Sequence, residues 1–176
     1  MNWSVNSINT IGRSASSLKK ELFNSGKPEL DRYLKQYAKK NDERGIARTF
    51  VAFAFEESQA IAGYYSCCAS AIDSESLPSQ IQSRLPRYPT PAILIGKLAV
   101  DLAMQGRGLG KFLLFHGFEN AIDVSQKLGV YAVRVDAVDE EAKRFYQKYG
   151  FMELQDAPLS LFISIETIKQ AWNLNY

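Results

Sequence analysis

The sequence of 176 residues predicts an α/β (α+β) fold in which helices flank a mixed central β-sheet. Two observations support this prediction. Residues 92–138 read as a strand, a glycine-rich loop, a helix and a second strand, and such a crossover unit places its two strands parallel. Residues 49–70 contain two short aromatic and β-branched runs separated by "EESQ", which is typical of an antiparallel hairpin. A sheet with both kinds of pairing is mixed.

The composition indicates one globular domain over residues 1–176, because 46% of the residues are hydrophobic and 23% are charged. No run approaches the ~18 apolar residues of a membrane helix, and the first residues do not resemble a signal peptide. We therefore expect a cytoplasmic protein without membrane contact. The only cysteines, Cys67 and Cys68, are neighbours, which suits neither a disulfide nor a metal site. Buried, reduced thiols and no bound metal are the expectation.

The first predicted helix is the amphipathic segment "PELDRYLKQYAKKN". Its apolar face consists of Leu30, Leu34, Tyr37 and Ala38. The wider segment from Lys27 to Arg48 carries seven basic and four acidic residues, an excess of three, although the net charge of the whole chain is only +2. A solvated helix surface and a phosphate-binding face both fit this excess.

The remaining elements are predicted from hydrophobic periodicity and from the positions of proline, glycine and capping residues. After the hairpin, residues 73–91 hold four of the six prolines, which predicts a short helix and a loop. "AILIGKLAVD" reads as a buried strand, and Lys111 to Leu128 as a helix that ends near Gly129. "VYAVRVDAV" is the next strand, "DEEAKRFYQKYG" a helix with Asp139 as its N-cap, and "LSLFISI" a late strand.

The glycine-rich loop "QGRGLGK" joins a strand to a helix, where backbone N–H groups and the helix dipole favour a phosphate. Two well-known phosphate loops do not fit. A P-loop would need glycine and serine or threonine at the positions of Gln105 and Phe112, and a dinucleotide fingerprint would need glycine at Lys111. On the glycines alone, a tight turn without a ligand remains open.

The spacing Gln105-x-x-Gly108-x-Gly110 is similar to the pyrophosphate loop of the GNAT acetyltransferases. Downstream, "DEEAKRFYQKYGF" resembles the second motif of that family, a helix with an Ala-x-x-Phe-Tyr pattern that ends in Gly-Phe. The segments "FNSGKPELDRYLKQYAKKN", "LPRYPTPAILIGKLAVD" and "APLSLFI" are similar to the toxin branch, whose members acetylate the amino group of aminoacyl-tRNA. Ser25 and Lys97 depart from that branch, which usually has cysteine and arginine there. Lys97 is the more consequential departure, because it lacks a guanidinium fork.

The resemblance implies a GNAT fold with acetyl-CoA as co-substrate. Backbone groups of Leu98, Ala99 and Val100 would pair with the pantetheine arm as an added strand. The pyrophosphate would be held by Gln105, Gly106, Arg107, Gly108, Leu109, Gly110 and Lys111. Tyr146 occupies the tyrosine of the second motif and would be the acid that protonates the departing thiolate.

The pKa values of amines indicate which kind of amine accepts the acetyl group. A lysine side chain of pKa ~10.4 is about a thousandth neutral near neutral pH, whereas an α-amine of pKa ~7.7 to 8.0 needs no dedicated base. No persuasive base is present, since the single histidine, His116, is expected to be structural. An α-amine is therefore favoured, as on aminoacyl-tRNA. The basic segment then offers contacts to acceptor-stem phosphates: Arg32, Lys35, Lys39, Lys40, Arg44 and Arg48.

The leading hypothesis is an acetyl-CoA-dependent N-acetyltransferase toxin that modifies aminoacyl-tRNA and inhibits translation. Two alternatives remain open: acetylation of a protein α-amine or a small-molecule amine, and a non-catalytic acyl-CoA-binding or interaction module. The resemblance also implies a ribbon-helix-helix antitoxin as partner and a homodimer.

Overall fold

The computed structural model describes residues 3–9, 19–53 and 60–173. Within them, seven strands form one mixed sheet in the order β1-β2-β3-β4-β5-β7-β6. The strands are β1 (Ser4–Ser7), β2 (Arg48–Phe53), β3 (Ile61–Ile72), β4 (Thr90–Val100), β5 (Ala132–Asp136), β6 (Met152–Leu154) and β7 (Ala157–Ser164). The helices are α1 (Pro28–Arg32), α2 (Ala38–Glu43), α3 (Ser79–Gln82), α4 (Leu109–Ser125), α5 (Glu140–Gln147) and α6 (Ile165–Asn173). The predicted fold class is confirmed.

The chain divides into two compact units. The first contains Met1–Cys68 and Gly96–Gly117, and the second contains Ala69–Ile95 and Phe118–Tyr176. In the first unit, β2 pairs antiparallel with both β1 and β3, so the predicted hairpin is confirmed. Its predicted "EESQ" turn lies outside the described residues. The core of this unit is formed by Ile8, Phe23, Leu30, Leu34, Ala38, Val51, Phe53, Ile61, Tyr64 and Ala99.

The predicted amphipathic helix forms, but it is interrupted by a π-helical turn. Tyr33–Tyr37 connects α1 to α2 with this wider geometry, and we call residues 28–43 together the basic helix. Leu30, Leu34 and Ala38 are buried as predicted, whereas Tyr37 is 48% exposed. The placement of Tyr37 on the apolar face was therefore wrong. The π-turn explains the error, because each of its turns takes up more residues than a turn of regular α-helix.

The second unit contains the parallel pair that the crossover pattern predicted. Ala92 to Ile95 of β4 pair in parallel with Ala132 to Val135 of β5, and β7 pairs antiparallel with both β5 and β6. A core cluster lies between these strands and their helices, formed by Ile72, Leu77, Ala92, Ala132, Leu154 and Phe162. Asp139 caps α5 as predicted, since its carboxylate accepts a hydrogen bond of 2.9 Å from the Ala142 N–H.

Several features differ from the sequence-based expectations. Strands β1 and β6 and helix α6 were not predicted, and α4 ends at Ser125, before Gly129. Cys67 and Cys68 are free thiols, but both are only partly buried, because the continuously buried run of β3 ends at Ser66. Among the described residues, no helix is long and apolar enough to cross a membrane.

Candidate active site

The glycine loop after β4 has the backbone of an anion-binding turn. A short 3₁₀ turn, Leu102–Met104, leads to Gln105, and Gly106 and Gly108 then adopt left-handed backbone angles, φ 73° and 84°. A side chain on either glycine would meet no protein atom within 4 Å. Glycine is therefore required here by backbone conformation, and the space above the loop is open.

Helix α4 begins within this loop and presents unpaired donors there. Its first intrahelical hydrogen bond runs from the Phe112 N–H to the Gly108 carbonyl, 3.1 Å. The N–H groups of Leu109, Gly110 and Lys111 precede it and have no helical acceptor. Together with the positive end of the helix dipole, these donors form a cradle that fits a pyrophosphate. The side chains of Arg107 and Lys111 are exposed beside it, and the Lys111 ammonium lies 5.1 Å from the centre of the Phe115 ring.

Gln105 fixes the start of the loop with its side-chain amide. Its Nε2 donates to the carbonyl of Val100 at 3.0 Å and to the carbonyl of Ser25 at 3.1 Å. Asp101 adds two contacts that the sequence did not reveal: its carboxylate accepts from the N–H of Asn24 at 3.0 Å and of Ala103 at 2.9 Å. The loop is thus tied to the end of β4 and to the segment that precedes α1.

The end of β4 presents backbone groups along one edge. The Asp101 N–H donates to the Ala62 carbonyl of β3, 2.9 Å. Since successive strand residues direct their N–H and C=O groups to opposite edges, the peptide groups of Ala99 face β3 and those of Leu98 and Val100 face the other edge. Of the three residues expected to pair with an extended arm, Leu98 and Val100 therefore have the outward groups, and the Val100 carbonyl already accepts from Gln105 Nε2.

Gly63 is a residue of this region that sequence reasoning missed. A Cβ on Gly63 would lie 2.9 Å from Leu113 Cδ1, 3.0 Å from the Ala99 carbonyl and 3.2 Å from Leu109 Cδ2. Glycine in β3 therefore lets the first turns of α4 pack closely on the strand. The loop keeps its position because Leu109 and Leu113 are anchored there, and both are buried.

Tyr146 lies on α5 in the second unit, with its ring packed between two phenylalanines. Its centroid is 5.2 Å from that of Phe145 and 5.4 Å from that of Phe151. In the described part of the chain, no buried side-chain oxygen or nitrogen lacks a hydrogen-bond partner. Tyr146 is only 6% exposed, and its hydroxyl forms no hydrogen bond in that part of the chain. Burial first, and the charge of Asp136 second, raise the pKa of Tyr146 above its usual value.

Asp136, at the end of β5, is held in a fixed orientation. Its Oδ1 accepts hydrogen bonds from Ser160 Oγ at 2.6 Å and from Arg134 Nη2 at 3.1 Å. The residue pairs with Ser160 in the ladder between β5 and β7. Sequence reasoning missed this cluster, because Ser160 reaches Asp136 only through the register between β5 and β7.

The six basic residues expected to contact phosphates are not equivalent. Lys39 Nζ lies 3.8 Å from a carboxylate oxygen of Glu43. Arg48 Nη1 lies 2.8 Å from Oδ1 of Asp42, a carboxylate that is only 1% exposed and also accepts the Thr49 N–H at 2.8 Å. Within the described residues, the other four have no ion-pair partner: Arg32, Lys35, Lys40 and Arg44.

The two departures from the toxin-branch pattern both lie near α1. Ser25 is buried and donates a hydrogen bond of 2.6 Å from its hydroxyl to Asp31 Oδ1. The Lys97 ammonium lies 5.8 Å from the centre of the Tyr33 ring and donates to the Gly96 carbonyl at 3.1 Å. A cysteine at position 25 would be a weaker hydrogen-bond donor, so serine makes this start of the helix at least as well ordered.

The histidine and the two cysteines have no arrangement for nucleophilic or metal chemistry. His116 Nδ1 lies 2.8 Å from the Tyr65 hydroxyl, and its ring packs edge-on against Phe50 at 5.3 Å. Burial raises the pKa of Cys67 to about 12 and also raises that of Cys68, so both remain thiols near neutral pH. No group of three or more potential metal ligands occurs among residues 3–9, 19–53 and 60–173.

The mixed sheet and the glycine loop at the start of α4 define an acetyltransferase of the GNAT class. In agreement, residues 47–153 match the family model described as the acetyltransferase (GNAT) domain. The chain is 33% identical to a tRNA-acetylating toxin of Mycobacterium tuberculosis (strain ATCC 25618 / H37Rv) over 141 residues, which cover 80% of this chain and 82% of the toxin. The protein therefore belongs to the GNAT acetyltransferase domain family.

Two further comparisons agree with this assignment. A probable toxin, TacT, of Sinorhizobium fredii (strain NBRC 101917 / NGR234) is 26% identical over 155 residues, which cover 84% of this chain and 85% of TacT. A crystal structure of a tyrosine-to-phenylalanine mutant of KacT superimposes with a TM-score of 0.89 at 26% identity, covering 97% of this chain and 99% of KacT. The GNAT fold is thus confirmed over nearly the whole chain.

Proposed function

We propose that this protein is a toxin that transfers an acetyl group from acetyl-CoA to the α-amino group of aminoacyl-tRNA and thereby inhibits translation. The observation that carries the proposal is the 33% identity, over 80% of the chain, to a protein named as a tRNA-acetylating toxin. The geometry of the glycine loop supports acetyl-CoA as the acetyl donor. The cations of the basic helix that lack an ion-pair partner within the described residues support an RNA as the acetyl acceptor.

Acetyl-CoA supplies an acetyl group activated as a thioester. For its binding we propose the end of β4, where Leu98 and Val100 carry the outward backbone groups and Ala99 lies between them, and the loop Gln105, Gly106, Arg107, Gly108, Leu109, Gly110 and Lys111. In this loop the N–H groups of residues 109–111 contribute the donors, and Arg107 and Lys111 contribute positive charge. Gln105 holds the loop open through its bonds to Val100 and Ser25.

Tyr146 is proposed as the proton donor of the transfer, acting through its hydroxyl. The buried ring positions the hydroxyl, which is protonated at neutral pH and so carries the proton that the thiolate needs. No base is assigned to the acceptor, since an α-amine of pKa ~7.7 to 8.0 is partly neutral near pH 7.5. An α-amine carried by an RNA fits both observations. The amine reacts without a dedicated base, and the RNA phosphates are attracted to the positive charge of the basic helix.

Further partners follow from membership of a toxin family. We propose an antitoxin of the ribbon-helix-helix type, a homodimer, and action in the cytoplasm, where charged tRNA occurs. We also propose that the chain is one acetyltransferase domain, since the family match at residues 47–153 includes residues of both compact units. Size-exclusion chromatography with light scattering tests the dimer directly.

The deciding experiment incubates the purified protein with labelled acetyl-CoA and bulk charged tRNA. We expect label on the aminoacyl group, and a Tyr146→Phe variant should lower kcat by about 10²- to 10⁴-fold with little change in the KM for acetyl-CoA. Tyr149→Phe is the matched control, because Tyr149 lies just after the same helix. Transfer to peptide α-amines or small amines, but not to charged tRNA, would support the alternative acceptor. No transfer to any amine would leave only a non-catalytic module.

The pH profile provides a second test of the two proton positions. The acceptor α-amine reacts when neutral, so kcat/KM should rise about tenfold per pH unit below pH ~7.7 and level off near pH 8 to 9. Because Tyr146 reacts when protonated and its pKa is raised, no decline should follow up to about pH 10. An amide-linked aminoacyl-RNA analogue avoids ester hydrolysis during this measurement. A decline that begins near pH 8 would contradict the role assigned to Tyr146.

A further inference from the structure

Tyr37 is an aromatic side chain on the basic helix that the proposed mechanism does not use. Two nearby tyrosines are fully engaged: the Tyr33 hydroxyl hydrogen-bonds Ser66 Oγ at 2.8 Å, and the Tyr64 hydroxyl donates to the Leu30 carbonyl at 2.7 Å. Within the described residues, the Tyr37 ring has no aromatic neighbour and its hydroxyl forms no hydrogen bond. Tyr37 is 48% exposed, so part of its side chain is accessible to a ligand.

The π-turn is what directs Tyr37 outward. Its defining hydrogen bond runs from the Ala38 N–H to the Tyr33 carbonyl, five residues back. The wider turn needs an additional residue to come full circle, so Ala38 takes the inward position that a regular helix would give to Tyr37. The backbone at Tyr37 also leaves regular helical geometry, with φ −117°. Such insertions are frequent at functional sites.

Two cations without an acidic partner in the described part of the chain follow the exposed ring. Lys40 lies three residues after Tyr37, and Arg44, the residue that caps the end of α2, lies seven residues after it, which is the spacing of side chains on one side of an α-helix. Both cations are exposed, and neither has an acidic partner within the described residues. The two carboxylates of α2 have other partners: Glu43 pairs with Lys39 at 3.8 Å and Asp42 with Arg48 at 2.8 Å. This side of the helix therefore combines an open aromatic face with net positive charge.

We propose that Tyr37, Lys40 and Arg44 bind an unpaired nucleotide of an RNA strand, with the tyrosine ring stacked on the base and the two cations at the adjoining phosphates. This inference rests on the proposed function and adds a second contact to it. An aromatic ring can stack only on a base whose face is free, so nucleotides inside a stacked stem are excluded. The unpaired 3′ end that an acceptor strand carries beyond its stem provides such bases.

The test compares two RNA hairpins that carry no aminoacyl group and have the same stem and loop. One hairpin is blunt, and the other has a four-nucleotide 3′ overhang that contains 2-aminopurine. The full-length parent should bind the overhang hairpin more tightly and change the 2-aminopurine fluorescence. Tyr37→Leu should weaken overhang binding about tenfold and abolish the fluorescence change, with blunt-hairpin binding altered less than about twofold. Tyr37→Phe should retain both signals, and Lys40→Ala should weaken binding to both hairpins.

Tyr88→Leu is the matched control, because Tyr88 is 60% exposed and lies outside the basic helix; it should bind both hairpins like the parent. The stacking proposal is overturned if Tyr37→Leu binds the overhang hairpin as the parent does, or weakens both hairpins equally. Acetylation of charged tRNA by the parent is scored separately. If the parent acetylates charged tRNA and Tyr37→Leu leaves overhang binding intact, only the stacking contact is wrong. If the parent acetylates no charged tRNA, the proposed function fails, while the hairpins still decide the stacking contact.

Discussion

The glycine loop and the basic helix differ in how directly their residues determine their shape. In the loop, positive φ angles at Gly106 and Gly108 are a property of the backbone, and few residues other than glycine adopt them. In the helix, the outward side is decided by a π-turn, Tyr33–Tyr37, which residue spacing does not reveal. A site made from backbone groups can thus be recognised from spacing, whereas a side-chain surface cannot.

The two regions are also fixed by different contacts. Gln105 and Asp101 tie the loop to its neighbours through hydrogen bonds near the surface. The end of the basic helix is fixed by the buried carboxylate of Asp42, which accepts bonds from Arg48, from the Thr49 N–H and from the side chain of Asn9. Substitutions should therefore change ligand binding in the loop and overall stability at the end of the helix.

The largest effect is expected for Asp42→Ala. The change removes the acceptor of the buried Thr49 N–H and the partner of Arg48, so the free energy of unfolding should fall by about 2 to 3 kcal/mol. Urea unfolding followed by circular dichroism measures this difference. Glu43→Ala is the control, because Glu43 only forms an exposed ion pair with Lys39 and should change stability by less than about 0.5 kcal/mol. Equal effects of the two substitutions would show that the helix end is not anchored by Asp42.

Gly108→Ala should weaken the binding of acetyl-CoA and not the stability of the fold. Alanine at φ 84° is strained by about 1 to 2 kcal/mol, so the loop would shift and the KM for acetyl-CoA should rise about tenfold with a small change in unfolding temperature. Gly129→Ala is the matched control, since Gly129 has neither a positive φ nor a neighbour within 4 Å of an added Cβ. An unchanged KM for Gly108→Ala would remove the backbone argument for this loop.

Much of the fold could be predicted from the sequence, because the local sequence patterns agree with the tertiary structure. The parallel unit of β4 and β5, the hairpin of β2 and β3 and the cap at Asp139 all follow from residue types at fixed spacing. Strands β1 and β6 were missed for a physical reason. They span only Ser4–Ser7 and Met152–Leu154, too short for a periodic signal, and exist through pairing with β2 and β7.

The candidate site could be predicted from the sequence only in part. The loop and Tyr146 lie in motifs with defined spacing, so the sequence indicates them as candidates. Gly63, Asp101 and the Asp136 cluster could not be named, because their roles depend on contacts between residues far apart in the chain. Tyr37 was misplaced for the related reason that helical periodicity assumes an uninterrupted α-helix, which the π-turn violates.

The smallest predicted effects separate two arginines that the sequence could not distinguish. Arg44 has no ion-pair partner within the described residues, whereas Arg48 Nη1 is bonded to both the carboxylate and the carbonyl of Asp42, each at 2.8 Å. Arg44→Ala should weaken tRNA binding a few-fold and reduce the slope of log K against log salt by about one, with unchanged stability. Arg48→Ala should lower the free energy of unfolding by up to about 1 kcal/mol and leave that slope unchanged.

Filter binding at four salt concentrations, with urea unfolding of the same samples, measures both quantities. A lower slope for Arg48→Ala would mean that its guanidinium contacts phosphate while still paired with Asp42, and the helix surface would then extend further than the unpaired cations indicate.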